Sequence, residues 1–455
     1  MRSSALLLAG ACATTSPTSD TAATDATDTA ATAAAPGEIA RATPAAAAAV
    51  DGGAAAPAAP AASVASAGPT SALKDGGIDD ENWLPLSGSA RDAFLSAVEI
   101  SRTDPAAAVA RFVDAAGKAK YFYAAWYNAG AAAESSGDLP MAERYYRQAL
   151  QLRADYGPAL TNLAGVLEKT GRTADAQRLV DDALQKMPEK SGPHLAAATL
   201  AWSRKDLAVV ERESLLAIRY DDQNVPAMRL MAILFRAQGR LDTARFALDN
   251  ALQVEPGNAL LHLEIGHVQS ELGDDTAALV SFEKAARLRP TLLEAQDNYG
   301  VLLLKQGMAP EAARAFEHAA RLDEKSPRAQ LHLGNALRAS KQYAPAEAAY
   351  QKALGLDPNL GEARFNLALL YIDNPLPGIE ELPRLQKGLA ELKEFKAKGR
   401  PDATTLARLD EYLDATDKRI QKEIKRRERE ERRQREEETA KSAPAAAVTS
   451  PGPGQ

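Results

Sequence analysis

Apolar side chains recur along most of this chain at three- and four-residue intervals, and the recurrence is itself periodic. From residue 89 to residue 360 one pattern repeats every 34 residues without insertion, in units starting at 89, 123, 157, 191, 225, 259, 293 and 327. Each unit holds two short runs with helical spacing, and a break follows each run. Counting every unit from its own first residue, position 8 is small throughout: Ser96, Gly130, Ala164, Ala198, Ala232, Gly266, Gly300 and Gly334. Position 20 reads Ala108, Ala142, Ala176, Val210, Ala244, Ala278, Ala312 and Ala346, and position 27 is alanine in every unit, from Ala115 to Ala353. Position 24 is large in Phe112, Tyr146, Leu248, Phe282, Phe316 and Tyr350, and position 32 is proline in Pro188, Pro256, Pro290 and Pro358.

This spacing predicts two short amphipathic helices per unit. Small residues at 8 and 20 let the paired helices approach, and the large residue at 24 fills the space beside them. Alanine at 27 admits the first helix of the next unit. Glycine near 15 predicts a left-handed cap on the first helix, and proline at 32 stops the second. One such hairpin cannot bury its own apolar face, so neighbouring units must stack. The first and fourth units are the least regular. The fourth has Val210 at 20, Ser214 at 24 and Asp222 at 32, and it carries Trp202.

A 34-residue period with this residue pattern resembles the tetratricopeptide repeat. The resemblance covers residues 89–360 as eight units. It implies an all-α fold, a right-handed superhelical solenoid. A ninth first helix follows in "GEARFNLALLYI", with Ala368 at position 8. "DNPLPGIEELP" then breaks the phase, and "RLQKGLAELKEFKAKG" reads as a displaced partner helix, making 361–400 a degenerate ninth unit that caps the array. Residues 401–441 read as one long helix. Leu406, Leu409, Leu413, Ile420 and Ile424 keep roughly helical spacing, after which "KRREREERRQREEETAK" is wholly charged or polar up to Ala440. Lys418 to Lys441 holds eleven Lys/Arg against seven Asp/Glu, a net +4 in a chain of net −7. This helix reads as a solubilising tail or as a surface for a partner.

Composition separates the two ends from this core. Residues 13–88 are mostly Ala, Thr, Pro, Ser and Gly, with Trp83 the first aromatic. Such a segment has too little to bury to offset its ordering entropy, so it reads as a disordered tether. As a coil its reach is roughly 50 Å. Residues 442–455 also read as disordered. The opening "MRSSALLLAGAC", residues 1–12, places Arg2 before a short apolar run and small residues before Cys12, the one cysteine of the chain. It resembles a bacterial lipoprotein signal, which implies lipidation of Cys12. Ala9 stands where that family usually has Leu, and the basic segment is short. Ala13 after the cysteine, in place of Asp, implies the outer membrane by that family's sorting rule.

The search for chemistry yields little. His262 and His267 stand five apart, which does not place both on one helix face, and both read as helix-surface residues. Ser281 and Lys284 have Ser-x-x-Lys spacing, but they fall inside a second helix beside Phe282 at position 24. No phosphate loop is present. The expectation is a non-enzymatic protein with no metal and no cofactor, and the net charge of −7 gives nucleic-acid binding no support.

What remains is a surface for partners. In tetratricopeptide folds the first helices line a concave face, into which positions 2, 5, 9 and 12 point. By that resemblance the groove would present Tyr127, Glu168, Leu195, Trp202, Arg229, Ile233, Arg236, Leu263, His267, Asp297, Leu304, Asn335 and Arg338. The mixture of apolar and charged groups suits an extended peptide or a helix. The family's chaperone-binding members clamp a terminal carboxylate with Lys at 5 and Asn at 9. No unit here has Lys at 5, and Asn335 alone supplies Asn at 9, so that specialised role is not expected. Asn128, Asn162, Asn298 and Asn366 fall at position 6 and read as packing residues. The whole arrangement is similar to tetratricopeptide lipoproteins of bacterial envelope machines. The expectation is therefore a lipid-anchored scaffold on the periplasmic face of the outer membrane, binding envelope proteins. Gliding motility, as in myxobacteria, comes first, then pilus assembly or polysaccharide export. The alternative is a soluble periplasmic or cytoplasmic adaptor.

Overall fold

The structure is a computed structural model, and it describes residues 88–101, 103–398 and 403–442. Cys12, the expected lipidation site, the expected tether up to residue 87 and the segment after Ser442 lie outside the described residues.

All regular structure among the described residues is α-helical. In chain order the helices pair as α1 (Gly88–Ser101) with α2 (Pro105–Gly117), α3 (Tyr123–Ser135) with α4 (Leu139–Leu152), and α5 (Gly157–Lys169) with α6 (Thr173–Lys186). Next come α7 (Ser191–Ser203) with α8 (Leu207–Tyr220), α9 (Val225–Ala237) with α10 (Leu241–Val254), and α11 (Ala259–Glu271) with α12 (Asp275–Leu288). Then follow α13 (Leu293–Lys305) with α14 (Ala309–Leu322), α15 (Pro327–Ala339) with α16 (Tyr343–Leu356), and α17 (Gly361–Asp373) with α18 (Glu381–Lys398). The long α19 (Ala403–Ser442) closes the described chain. Each helix packs on the next, as a stack of hairpins requires.

From α3 to α17 the first helix of every unit starts at its position 1. The turn that ends it is built the same way seven times. Position 15 has positive φ in Gly137, Gly171, Gly239, Gly273 and Gly307, and also in Lys205 (61°) and Lys341 (62°). The next residue's N–H reaches back five residues, as in Asp138 to Ala133 O (2.9 Å) and Arg240 to Phe235 O (2.8 Å). This is the Schellman closure, which satisfies carbonyls the helix would leave open. Asp138, Asp206 and Asp274 then cap the second helices by accepting from Met141, Val209 and Ala277 N–H groups (3.0, 3.2 and 2.9 Å). Such a cap is worth about 1 kcal/mol.

The first unit departs from this template. Asp104 N–H bonds to Ile100 O, four residues back (2.8 Å), so the turn is one residue tighter. α1 is displaced accordingly. Ser96, expected in the small-residue seam at position 8, is exposed, and Ala97 is buried in its place. The ninth unit departs too. Its second helix, α18, starts four residues late, and Gly388 lies against Ile372 and the Ala368 carbonyl. Leu409 and Ile420 of α19 pack on Leu385, Leu392 and Phe395 of α18. Arg384 donates to the Tyr371 and Ile372 carbonyls, and Arg419 donates to Ile372 O (3.1 Å), so α18 and α19 together cap the C-terminus of α17.

Candidate functional site

The first helices approach one another more closely than the second helices do. α3 packs against α5, α5 against α7, α7 against α9, α9 against α11, α13 against α15 and α15 against α17, whereas no two second helices pack to the same extent among the described residues. The stack is therefore tighter on its first-helix side, and side chains from that side meet across units.

They meet with one regular offset, the repeat length plus one residue. Glu134 accepts from Lys169 (2.7 Å), and Ser203 donates to Glu168 (2.8 Å). Arg229 donates to Glu264 (3.1 Å), Arg236 to Glu271 (2.8 Å), and His332 pairs with Asp297 (2.7 Å). Position 5 or 12 of one unit thus pairs with position 6 or 13 of the next. Tyr127 and Asn162 stand in the same relation, and burial pushes the Tyr127 hydroxyl well above its ordinary pKa.

This ladder changes the picture of the groove residues. Tyr127, Leu195, Arg229, Ile233 and Leu263 are buried between helices rather than lining an open wall. Arg229 and Arg236, both expected in the groove, brace α11. Arg229 and Glu264 form a pair with both side chains 6% exposed, and Arg236 lies 3.7 Å from the other Glu264 oxygen. A pair so dry is sensitive to loss of either partner. Glu168, Trp202, Arg236, His267, Asp297, Leu304, Asn335 and Arg338 are half-buried and keep accessible surface on this side. Asn335 accepts from the Tyr350 hydroxyl (2.8 Å) and from Asn366 (2.9 Å). His267 donates to Glu294 (3.1 Å), a bond that holds the Glu294 carboxyl below its usual range.

His262, expected on the helix surface, is not a surface residue, whereas His267 keeps part of its side chain accessible. His262 is buried, and its Nε2 meets the Pro256 carbonyl at 3.0 Å. The same device recurs wherever position 32 is proline. His194 meets Pro188 O (2.8 Å), Gln296 donates to Pro290 O (3.4 Å), and Arg364 donates to Pro358 O (3.1 Å). Each donor stands at position 4, six residues after its proline, and ties the inter-unit turn to the next first helix. His194 also bonds buried Glu213 (2.6 Å). Ser281, of the Ser-x-x-Lys spacing, is buried against Gln269.

Glu264 is the site residue that sequence reasoning missed. It occupies position 6, where asparagine recurs, and an acid there one unit after Arg229 was the available signal.

The family described as Tetratricopeptide repeat matches residues 229–292 and 300–360, and a second family of that description matches 133–201. The array is a tetratricopeptide-repeat solenoid. Tetratricopeptide repeats mediate protein–protein interaction, and this fold accordingly points to protein or peptide partners. Among curated proteins the chain is 26% identical over 274 residues to human "Protein O-mannosyl-transferase TMTC1", covering 60% of this chain and 26% of that protein. It is 30% identical over 194 residues to "Cellulose synthase operon protein C" of Xanthomonas axonopodis pv. citri, covering 41% of this chain and 11% of that protein. The chain thus spans well under two thirds of these relatives. Among solved structures, Pseudomonas aeruginosa PilF superposes with a TM-score of 0.41 at 20% identity, covering 45% of this chain and 94% of that one.

Proposed function

We propose that this chain is a non-enzymatic scaffold that holds partner proteins along the first-helix side of its tetratricopeptide array. The observation that carries this reading is the half-buried set on that side. Trp202, Leu304, Asn335 and Arg338 combine apolar area with hydrogen-bonding groups on helices fixed by the ladder beneath them. A rigid wall of this kind binds an extended or helical segment at low entropic cost. Buried Arg229–Glu264 and Tyr127–Asn162 hold that wall in place rather than touch the partner.

In the same reading a lipid on Cys12 anchors the chain in the bacterial envelope and residues 13–88 tether the array to it. The signal-like opening "MRSSALLLAGAC" supports the anchor. An envelope motility complex is the first assignment, with pilus assembly and polysaccharide export behind it. The relative named for a cellulose synthase operon keeps the last of these in view. Crosslinking pull-down from envelope membranes, wild type beside Cys12→Ser, tests the anchor. Membrane-bound wild type with envelope partners, both lost in the variant, supports it. Equal solubility and identical partners for the two forms would leave a soluble adaptor. Trp202→Ala with Arg338→Ala tests the face: partners should be lost while helicity stays close to wild type and the chain still unfolds cooperatively, with melting lowered only by the packing Trp202 gives up.

A further inference from the structure

α19 carries a second surface, separate from the first-helix side. Leu409, Thr416, Ile420 and Glu423 are buried, which fixes the packed face of the helix. At about 100° per residue the opposite face between 418 and 433 bears Lys418, Lys422, Lys425, Arg429, Arg432 and Arg433, with no acid among them. The acids of this stretch lie on the packed side or on the flanks. Glu423 is bound by Arg426 (2.6 Å), and Glu431 lies 3.8 Å from Arg435.

The outward row is also unpartnered at its centre. Lys418 pairs with Asp414 at one end, and Arg433 reaches Glu437 at 4.0 Å at the other. Lys422, Lys425, Arg429 and Arg432 are exposed, and no carboxylate among the described residues pairs with them. They span about 15 Å of helix, one cation per ~5 Å. From Glu428 to Thr439 every side chain is exposed, so the helix continues well past the surface it packs on. The charges of residues 418–433 could have been interleaved evenly around the helix. Segregation of one sign to one face over this stretch, which Asp414 and Glu436 bound at either end, sets up a local field that the whole-chain charge of −7 conceals.

We propose that this row docks an acidic segment of a partner protein. The spacing matches carboxylates at three- and four-residue intervals on one face of a helix. The face has no aromatic side chain on which bases could stack. It has no apolar side chain to enter a bilayer, because the apolar stripe of α19 is spent on α18. The partner is thus a polypeptide carboxylate array, bound by charge and sensitive to salt.

The test uses the full chain and fluorescent poly-L-glutamate, with phosphatidylglycerol vesicles and duplex DNA as parallel probes. Poly-L-glutamate should bind, and binding should weaken steeply as salt shortens the screening length. The variant Lys422→Gln, Lys425→Gln, Arg429→Gln, Arg432→Gln should lose affinity by roughly tenfold or more at low salt. Its helicity and melting should stay close to wild type, since these side chains are exposed and form no ion pair among the described residues. A control, Arg111→Gln, Arg144→Gln, Lys284→Gln, Lys352→Gln, removes as many exposed cations from the repeats and should bind like wild type. Equal loss in both variants, preference for vesicles or DNA, or no binding of poly-L-glutamate would each overturn the proposal. The pull-downs on Trp202 and Arg338 read the other surface, so the two readings fail separately.

Discussion

Units 6 to 8 and units 3 to 4 use the same 34-residue template but bring backbones together in different places. In units 2, 6, 7 and 8, glycine at position 8 lies directly against the aromatic ring at position 24. A Cβ on Gly130, Gly266, Gly300 or Gly334 would fall 2.5–2.7 Å from Tyr146, Phe282, Phe316 or Tyr350. Closeness there is within the hairpin. Units 3, 4 and 5 have alanine at 8 and the smaller Val180, Ser214 and Leu248 at 24. In units 3 and 4 the tight contact is instead between hairpins. A Cβ on Gly192 would meet the Gly157 Cα at 2.9 Å and the Asp155 carbonyl oxygen closer still, and α5 and α7 pack along each other more than any other pair of first helices does. The lesson from units 2 to 8 is that position 8 and position 24 are one volume, filled either by an aromatic over glycine or by a smaller side chain over alanine. The irregular fourth unit is joined closely to the third. It gives up ring packing and gains backbone contact.

Gly192→Ala should break this comparison most severely, because its new methyl meets backbone that cannot rotate away. A loss of about 3 kcal/mol in urea unfolding is expected, at the upper end of overpacking costs. A loss under half that would mean the two helices slide freely. Leu248→Phe comes next. Alone it should cost about 2 kcal/mol, with Ala232 in the way. Adding Ala232→Gly should recover at least half of that, and strict additivity of the two changes would refute the shared-volume argument. Lys205→Gly and Lys341→Gly should each stabilise by about 0.5–1 kcal/mol. A left-handed non-glycine residue costs about 1–2 kcal/mol, partly offset by the entropy that glycine adds to the unfolded chain. An unchanged melting temperature would show that the surrounding turn, not the residue, sets that conformation.

The smallest effect concerns protons. Burial lowers the pKa of His262 below its ordinary 6.5. The unfolded chain then binds the proton more readily than the folded one. Stability is complete above the ordinary histidine range and falls as pH drops through 6.5 toward the lower folded value. His262→Gln should remove this part of the acid dependence yet keep the Pro256 bond, as Gln296 does at Pro290. Identical pH profiles for variant and wild type would locate the acid sensitivity elsewhere.

Much of this was legible because the repeat is local. Periodicity, small positions 8 and 20, and glycine at 15 depend on residues within one hairpin, and the helix starts from Tyr123 to Gly361 follow them. The left-handed turn was legible even where lysine holds it, because its neighbours in the series are glycine. The first unit was misplaced by one residue because Ser96 and Ala97 are both small, and only the turn's hydrogen bond distinguishes them. His262 was taken for a surface residue because its partner is a backbone carbonyl, which leaves no mark in a side-chain pattern.

The sequence by itself determined the all-α class, the unit length, the phase and the ends of the helices, since each follows from spacing within one hairpin. The tertiary structure alone decided which polar side chains are walls and which are braces. Arg229 and Arg236 have the same chemistry and lie on the same face of α9, yet Arg229 is buried and Arg236 keeps some surface. The difference comes from Glu264 and Glu271 on the next unit, 35 residues away in each case. A contact offset by one residue from the repeat is invisible to a 34-residue period. It is set by how one hairpin leans on the next, which is a property of packing.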